Sequence, residues 1–253
     1  MKKRYDLIDT LRGLAIISMI GFHACWIMNY FGILITSETL YGTIFTVWER
    51  GICIPFIIIA GFSFSLGHNH LRSGLIVFGW GLIITAVTCI FLYDIRIVFG
   101  VLTLIGSSIL LTIPIDNVLR NHNLLTQKAS VLLFAISLLL FLLTYKINIG
   151  YLGFYPAFCV EIPRSIYNGY IATYFGFMDP GFYSTDYFSL FPWWFLYLSG
   201  YFLHKIAISS EKAKSLLENG IPGIRIIGRY SLPIYLIHPI IIFILLFFIT
   251  RFL

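Results

Sequence analysis

Of the 253 residues, 59% are hydrophobic and 11% are charged, and the formal net charge is +6. Soluble domains carry about 25% charged side chains, so a water-soluble fold and a detachable soluble module are both excluded. The positive charges are spread over short connections between apolar runs rather than gathered into a basic patch, which excludes nucleic acid as a partner.

In chain order the apolar segments lie at 11–31, 44–66, 74–92, 97–115, 129–145, 187–204 and 231–250. Several approach the ~20 residues needed to cross ~30 Å of hydrocarbon. They predict an all-α polytopic membrane protein: a bundle of about seven transmembrane helices and a long structured outer connection, forming a single domain over 1–253. The first segment starts basic, at Lys2, Lys3 and Arg4, but Asp6 and Asp9 interrupt that start and no small-residue cleavage site follows. It is expected to be a retained helix, not a signal peptide. With the N-terminus inside, the inner segments are 1–12, 67–73, 116–128 and 205–230, and they hold twelve of the 17 lysines and arginines. That asymmetry sets orientation in a bilayer. A multi-pass cell-membrane protein is expected, with its N-terminus cytoplasmic and its C-terminus outside.

Two connections stand out. Residues 146–186 form an outer segment of about forty residues rich in tyrosine, phenylalanine and isoleucine, and loops of that length are usually functional or disordered. The aromatic content predicts an ordered cap partly in the outer interface, with a re-entrant or interfacial helix as one reading of Ile166 to Met178. The inner segment 205–230 has a short helical pattern ended by Asn219 and Gly220. It reads either as a solvated connection or as a binding element for an anionic cytoplasmic ligand. Gly61, Gly67, Gly79, Gly81 and Gly106 predict close helix contacts. Cys25, Cys53, Cys89 and Cys159 lie in apolar contexts with no paired spacing, so neither a zinc site nor a disulfide framework is indicated.

Ionisable residues inside a membrane segment are functional candidates by default. At ~100° per residue, Asp9, Arg12, Ile16, Met19 and His23 form one stripe of the first helix, with Arg12 and His23 ~16 Å apart along the axis. A guanidinium at the inner mouth suits a phosphate, and an imidazole deeper in suits a general base or an acyl-accepting nucleophile. The other reading is an interfacial ion pair of Asp9 with Arg12 above a hydrogen-bonded structural histidine. His238 shares a face with Tyr235 in the last span, and prolines at 233 and 239 leave carbonyls nearby that an imidazole can bond. Structural and chemical roles are both open for it. Asp186, beside tyrosines and a tryptophan pair, reads either as part of an acceptor site or as ordinary outer-interface chemistry. His68, His70, His122 and His204 are expected at surfaces or interfaces, and "HNH" at 68–70 lacks the further ligands of a metal site. No metal is expected.

The segments "RYDLIDTLRGLAIISMIGFH", "PFIIIAGFSFSLG", "RIVFGVLTLIGSS", "FYSTDYFSLFPWWFLYLSGYFL" and "GRYSLPIYLIHP" resemble, in that order, the catalytic domain of heparan-α-glucosaminide N-acetyltransferase and its short bacterial relatives. The first is also similar to the opening of membrane-bound O-acyltransferases of bacterial surface polysaccharides, which share the Arg-to-His arrangement. The resemblance implies transfer of acetyl from cytoplasmic acetyl-CoA to an amine or hydroxyl of an extracytoplasmic sugar or glycolipid. His23 would then act as base or acetyl acceptor, with Asp9 and Asp186 supporting the chemistry. Arg12, Arg229, Tyr235 and His238 would hold the donor. In the lysosomal enzyme the proposed active histidine precedes the second span; the corresponding loop here has none, and His23 matches the first-helix histidine of the bacterial branch. Acetyl-CoA, the acceptor and the lipid bilayer are the implied partners, and a homo-oligomer is compatible with the sequence. The alternative is a transporter or binding protein for a small anionic solute.

Overall fold

The computed structural model describes residues 5–252; the basic start at Lys2, Lys3 and Arg4 lies outside the described residues. The elements run α1 (Asp6–Tyr30), α2 (Ser37–Leu40), α3 (Thr43–Phe64), α4 (His70–Phe91), α5 (Val101–Asn121) and α6 (Gln127–Thr144). A two-stranded hairpin, β1 (Tyr151–Phe154) and β2 (Phe158–Glu161), follows, then α7 (Gly169–Phe175), α8 (Leu190–Ala207), α9 (Glu211–Glu218), α10 (Pro222–Arg229) and α11 (Ser231–Phe252). The chain is an all-α polytopic protein. Helices satisfy every backbone group internally, which hydrocarbon demands, and the polar connections supply caps: Asn69 accepts from Arg72 N–H at 3.1 Å and Thr126 from Ala129 N–H at 3.3 Å.

Among the described residues, six helices are long and apolar enough to cross a membrane. The remaining expected span, 187–204, is α8, whose 18 residues include tryptophans, tyrosines, His204 and Lys205. One side after another of α8 is buried, including Trp193, Leu196, Tyr197, Tyr201 and Phe202. A helix shielded by its neighbours need not match the apolarity that lipid contact requires.

Contacts divide the chain into two compact units, Met1–Ile59 with Ser210–Leu253, and Ala60–Ser209, with the boundary inside α3. In the second unit α5 is the central helix, packed on α4 and α8. Small residues set the α4–α5 seam: a Cβ on Gly81 would stand 2.7 Å from Thr103 N, and one on Gly106 2.5 Å from Phe78 N. Gly61 meets the Tyr197 carbonyl in the same way. Gly79 has no atom within 4 Å of a would-be Cβ, so the close contact expected there is not made.

Two expectations are corrected in this unit. The inner segment expected at 116–128 shrinks, because α5 continues through Pro114 to Asn121. What permits the extension is a neutralised carboxylate. Asp116, 6% exposed, accepts from Tyr201 Oη at 2.5 Å and Arg120 Nε at 2.7 Å, with Lys205 Nζ at 4.0 Å. His204, expected near a surface, is buried edge-on against Phe62 with ring centroids 4.9 Å apart. Asp116→Ala leaves a buried phenol and a shielded ammonium without their acceptor, and is expected to cost about 2–3 kcal/mol. The check is a lowered thermal unfolding midpoint of the detergent-purified protein, with Asp116→Asn losing less.

The connection at 146–186 is ordered, as its aromatic content implied. Its helix is Gly169–Phe175, inside the expected 166–178 window, and the hairpin before it was not expected. Asp179 ties the segment together by accepting from Gly169 N–H at 2.7 Å and Gly181 N–H at 2.8 Å. Those two donors hold its carboxyl below the usual carboxylate range.

Candidate active site

The candidate site lies in the first unit and starts from the N-terminal end of α1. There α10 crosses α1 so closely that only glycine fits at the crossing. A Cβ on Gly228 would overlap the Asp9 carbonyl oxygen, one on Gly13 the Ile224 carbonyl oxygen, and one on Gly220 would stand 2.7 Å from Asp6 Cβ. Thr10 Oγ1 reinforces the crossing by accepting from Ile221 N–H at 3.0 Å while donating to the Asp6 carbonyl at 2.8 Å. Pro222 sits at the first turn of α10, where its missing N–H costs nothing.

This contact brings two aspartates against three arginines. Arg12 Nη1 donates to Asp9 Oδ1 at 3.1 Å and to the Gly228 carbonyl at 3.5 Å. Arg229 bridges, with Nε donating to Asp9 Oδ2 at 3.4 Å and Nη2 to Asp6 Oδ1 at 3.1 Å. Arg225 pairs with the other oxygen of Asp6. Two carboxylates against three guanidinium groups leave the cluster with a net charge of one positive unit. Asp6 and Arg225 are the partners that sequence reasoning did not single out. Their signal was present in the spacing: acids at 6 and 9 share a face of α1, and arginines at 225 and 229 share a face of α10.

Eleven residues beyond Arg12, about 16 Å along the axis, His23 meets His238 of α11. His23 Nδ1 lies 2.7 Å from His238 Nε2, with ring planes within 2° and centroids 5.0 Å apart. A nitrogen contact that short at that centroid separation means that the rings are coplanar and joined edge to edge, not stacked face to face. The second His238 nitrogen, Nδ1, is 2.9 Å from the Ile234 carbonyl oxygen. Tyr235 packs edge-on against His238 at 6.0 Å. His238 and Tyr235 are buried and His23 is half-buried.

These contacts assign the protons in a neutral pair. A carbonyl oxygen only accepts, so His238 Nδ1 carries hydrogen and His238 Nε2 is the acceptor. His23 Nδ1 must therefore be the donor, which leaves the lone pair on His23 Nε2. A base or nucleophile needs that arrangement: one ring nitrogen held, the other presenting its electron pair.

From α3, Trp48 packs on α1, where its Nε1 donates to Ser18 Oγ at 2.8 Å and its ring meets Phe22 edge-on at 5.6 Å. The structure thus brings Asp9, Arg12 and Arg229 together at one level of the first unit, and His23, Tyr235 and His238 at another. Asp186 belongs to the second unit. There its Oδ2 accepts from Val101 N–H at 3.3 Å, placing negative charge at the N-terminus of α5, where the helix dipole favours it.

Compared with known protein families, the chain matches the model of heparan-alpha-glucosaminide N-acetyltransferase, catalytic, over residues 4–240. The chain belongs to that family. No curated protein and no solved structure matches it. Membership in the heparan-alpha-glucosaminide N-acetyltransferase catalytic family, with six helices among the described residues fit to span a bilayer, makes the chain a multi-pass membrane protein of an acetyltransferase family.

Proposed function

We propose that the chain transfers an acetyl group from cytoplasmic acetyl-CoA to an amine or hydroxyl of an extracytoplasmic glycan or glycolipid. The observation that carries this reading is the coplanar His23–His238 pair. It stands ~16 Å from Arg12, about half of a ~30 Å hydrocarbon core. A donor with phosphates at one end and a thioester on a long arm would keep its charged end at the arginine cluster and bring its reactive carbon to the pair. Arg12 and Arg229 are the phosphate-side groups, and Tyr235 lines the approach to His238.

The chemistry follows from the proton assignment. His23 Nε2 attacks the thioester carbon, the C–S bond breaks and the thiolate leaves. The proton on His23 Nδ1 passes to His238 Nε2, so the acetylated ring is neutral and the positive charge rests on His238. An acceptor hydroxyl or amine then attacks the acetyl carbon. His238 returns its proton to His23 Nδ1, and His23 leaves as neutral imidazole while the acceptor gives up its own proton to solvent. Without that return, His23 would have to leave as an imidazolate, a far poorer leaving group. Asp9 positions Arg12. Asp186, followed by Tyr187 in a tyrosine-rich stretch, is the acceptor-side candidate, since carboxylates bond sugar hydroxyls and aromatic faces stack on sugar rings.

The test uses sealed proteoliposomes with labelled acetyl-CoA on one side and an amino sugar or oligosaccharide on the other. Label is expected on the acceptor of the opposite compartment, with release of free thiol on the donor side. Transfer that occurs only when both substrates share a compartment overturns the transmembrane reading. Solute movement independent of acetyl-CoA favours a transporter.

A further inference from the structure

The hairpin of the outer connection carries a surface that acetyl transfer does not use. Its strands pair antiparallel, with Leu152 opposite Val160 and Phe154 opposite Phe158. Side chains alternate along a strand, so these four share one face. The other face holds Tyr151, Gly153, Cys159 and Glu161, of which the first three are partly covered by the protein. The apolar face is bare: Phe158 is 81% exposed, Val160 70%, Phe154 50% and Leu152 39%.

This is a built surface, not a loose loop tip. Ile162 N–H donates to the Gly150 carbonyl at 2.9 Å, closing the base of the hairpin. Beneath it Ile147, Ile162 and Tyr167 form a buried cluster with Phe177, and Tyr167 Oη donates to the Ile147 carbonyl at 2.6 Å. A held apolar face of this kind marks a contact with something other than water.

Two observations say what covers it. The candidate span that contains α6 runs to Ile149, and β1 begins at Tyr151. The interfacial layer beyond the hydrocarbon core is roughly 5–8 Å deep, so the hairpin starts at that layer, and its four-residue strands reach no more than about 13 Å from that start. Lys146 precedes the hairpin and suits a phosphate headgroup, while Arg164, which follows it, is ion-paired with Glu161 at 3.6 Å. The four side chains together offer on the order of 400 Å², about half of the ~800 Å² that each partner contributes to a stable protein–protein interface. Lipid imposes no such minimum.

We propose that the Leu152–Phe154–Phe158–Val160 face is seated in the bilayer interface, in contact with phospholipid headgroups and the upper acyl chains. It anchors the outer connection to the leaflet at which α6 ends. This holds whether or not His23 carries acetyl.

The experiment places a nitroxide at Phe158→Cys, at Val160→Cys and, as the opposite-face control, at Glu161→Cys. The background has Cys25, Cys53, Cys89 and Cys159 replaced by alanine, and the protein sits in nanodiscs of phosphatidylcholine and phosphatidylglycerol. The ratio of oxygen to nickel-chelate collisions is expected to be severalfold higher at 158 and 160 than at 161. Equal ratios at the three positions overturn the proposal, as does dipolar broadening at 158 or 160, which would show a second copy covering the face. A second measurement keeps the native cysteines: Phe158→Trp should add fluorescence that lipids brominated near the headgroup quench. No added quenching would also overturn it.

Discussion

His23→Ala is expected to abolish acetyl transfer while leaving a folded protein. General-base catalysis is worth about 10²–10⁴ in rate, and loss of an acyl-accepting nucleophile removes the whole covalent route. A fall of at least ~10³, equivalent to ~4 kcal/mol of barrier, is the outcome to look for. The structural cost is smaller. Removing the ring deprives His238 Nε2 of its donor, and a buried acceptor left unpaired costs about 1–3 kcal/mol. Rates should therefore be compared at matched folded fraction, from thermal melts of both proteins. Acid-quenched wild type incubated with acetyl-CoA alone is expected to carry one acetyl group on the peptide containing His23. Wild-type activity in the alanine variant would exclude His23 from the chemistry. Full loss of activity without any acetylated wild-type peptide would instead point to direct transfer, with His23 as general base.

Most of the spans were legible in the sequence because lipid imposes a local rule: a helix that faces hydrocarbon must be apolar residue by residue. That rule failed where a helix faces protein. At Asp116 it ended a span early, because the Tyr201, Arg120 and Lys205 partners that neutralise the carboxylate are set by tertiary packing. At His204 it suggested an interface where Phe62 and neighbouring helices bury the ring. The hairpin was missed because strands of four residues are shorter than any window that resolves alternation, and Gly153 interrupts the first.

The site was legible in the same partial way. Helical periodicity placed Asp9, Arg12 and His23 on one face of α1, and the structure keeps that order. The pairing of His23 with His238 across 215 residues was not legible, since it depends on how α1 and α11 are rotated about their axes. The glycines at 13, 220 and 228 fix how α10 crosses α1, and α11 begins at Ser231, just after α10 ends. A crossing this close gives the following helix a defined starting point beside α1. The Ile234 carbonyl then orients the His238 ring locally. One nitrogen of His238 bonds a carbonyl, as the structural reading expected, and the other bonds His23.

His238→Ala and His238→Gln separate positioning from proton acceptance. Alanine leaves His23 Nδ1–H without an acceptor and frees the ring to turn or change tautomer, so the lone pair no longer stays on Nε2. A loss of about 10²–10³ in kcat, within the range for acid–base assistance, is expected with little change in KM, since His238 would touch the chemistry only through His23. Glutamine can accept from His23 Nδ1–H and so hold the tautomer, but it cannot take the proton that the acetylated ring must shed. It should recover part of the loss and no more, leaving a charged acetyl-imidazolium in a span where charge costs several kcal/mol. The acetylated peptide should consequently form more slowly in the glutamine variant than in wild type. Imidazole added to the alanine variant should restore rate in a concentration-dependent way by occupying the vacated space. If glutamine equals wild type, proton transfer to His238 is not part of the reaction. If alanine raises KM and leaves kcat unchanged, His238 holds the donor, as its place among the expected donor-binding residues implied, and the relay is wrong.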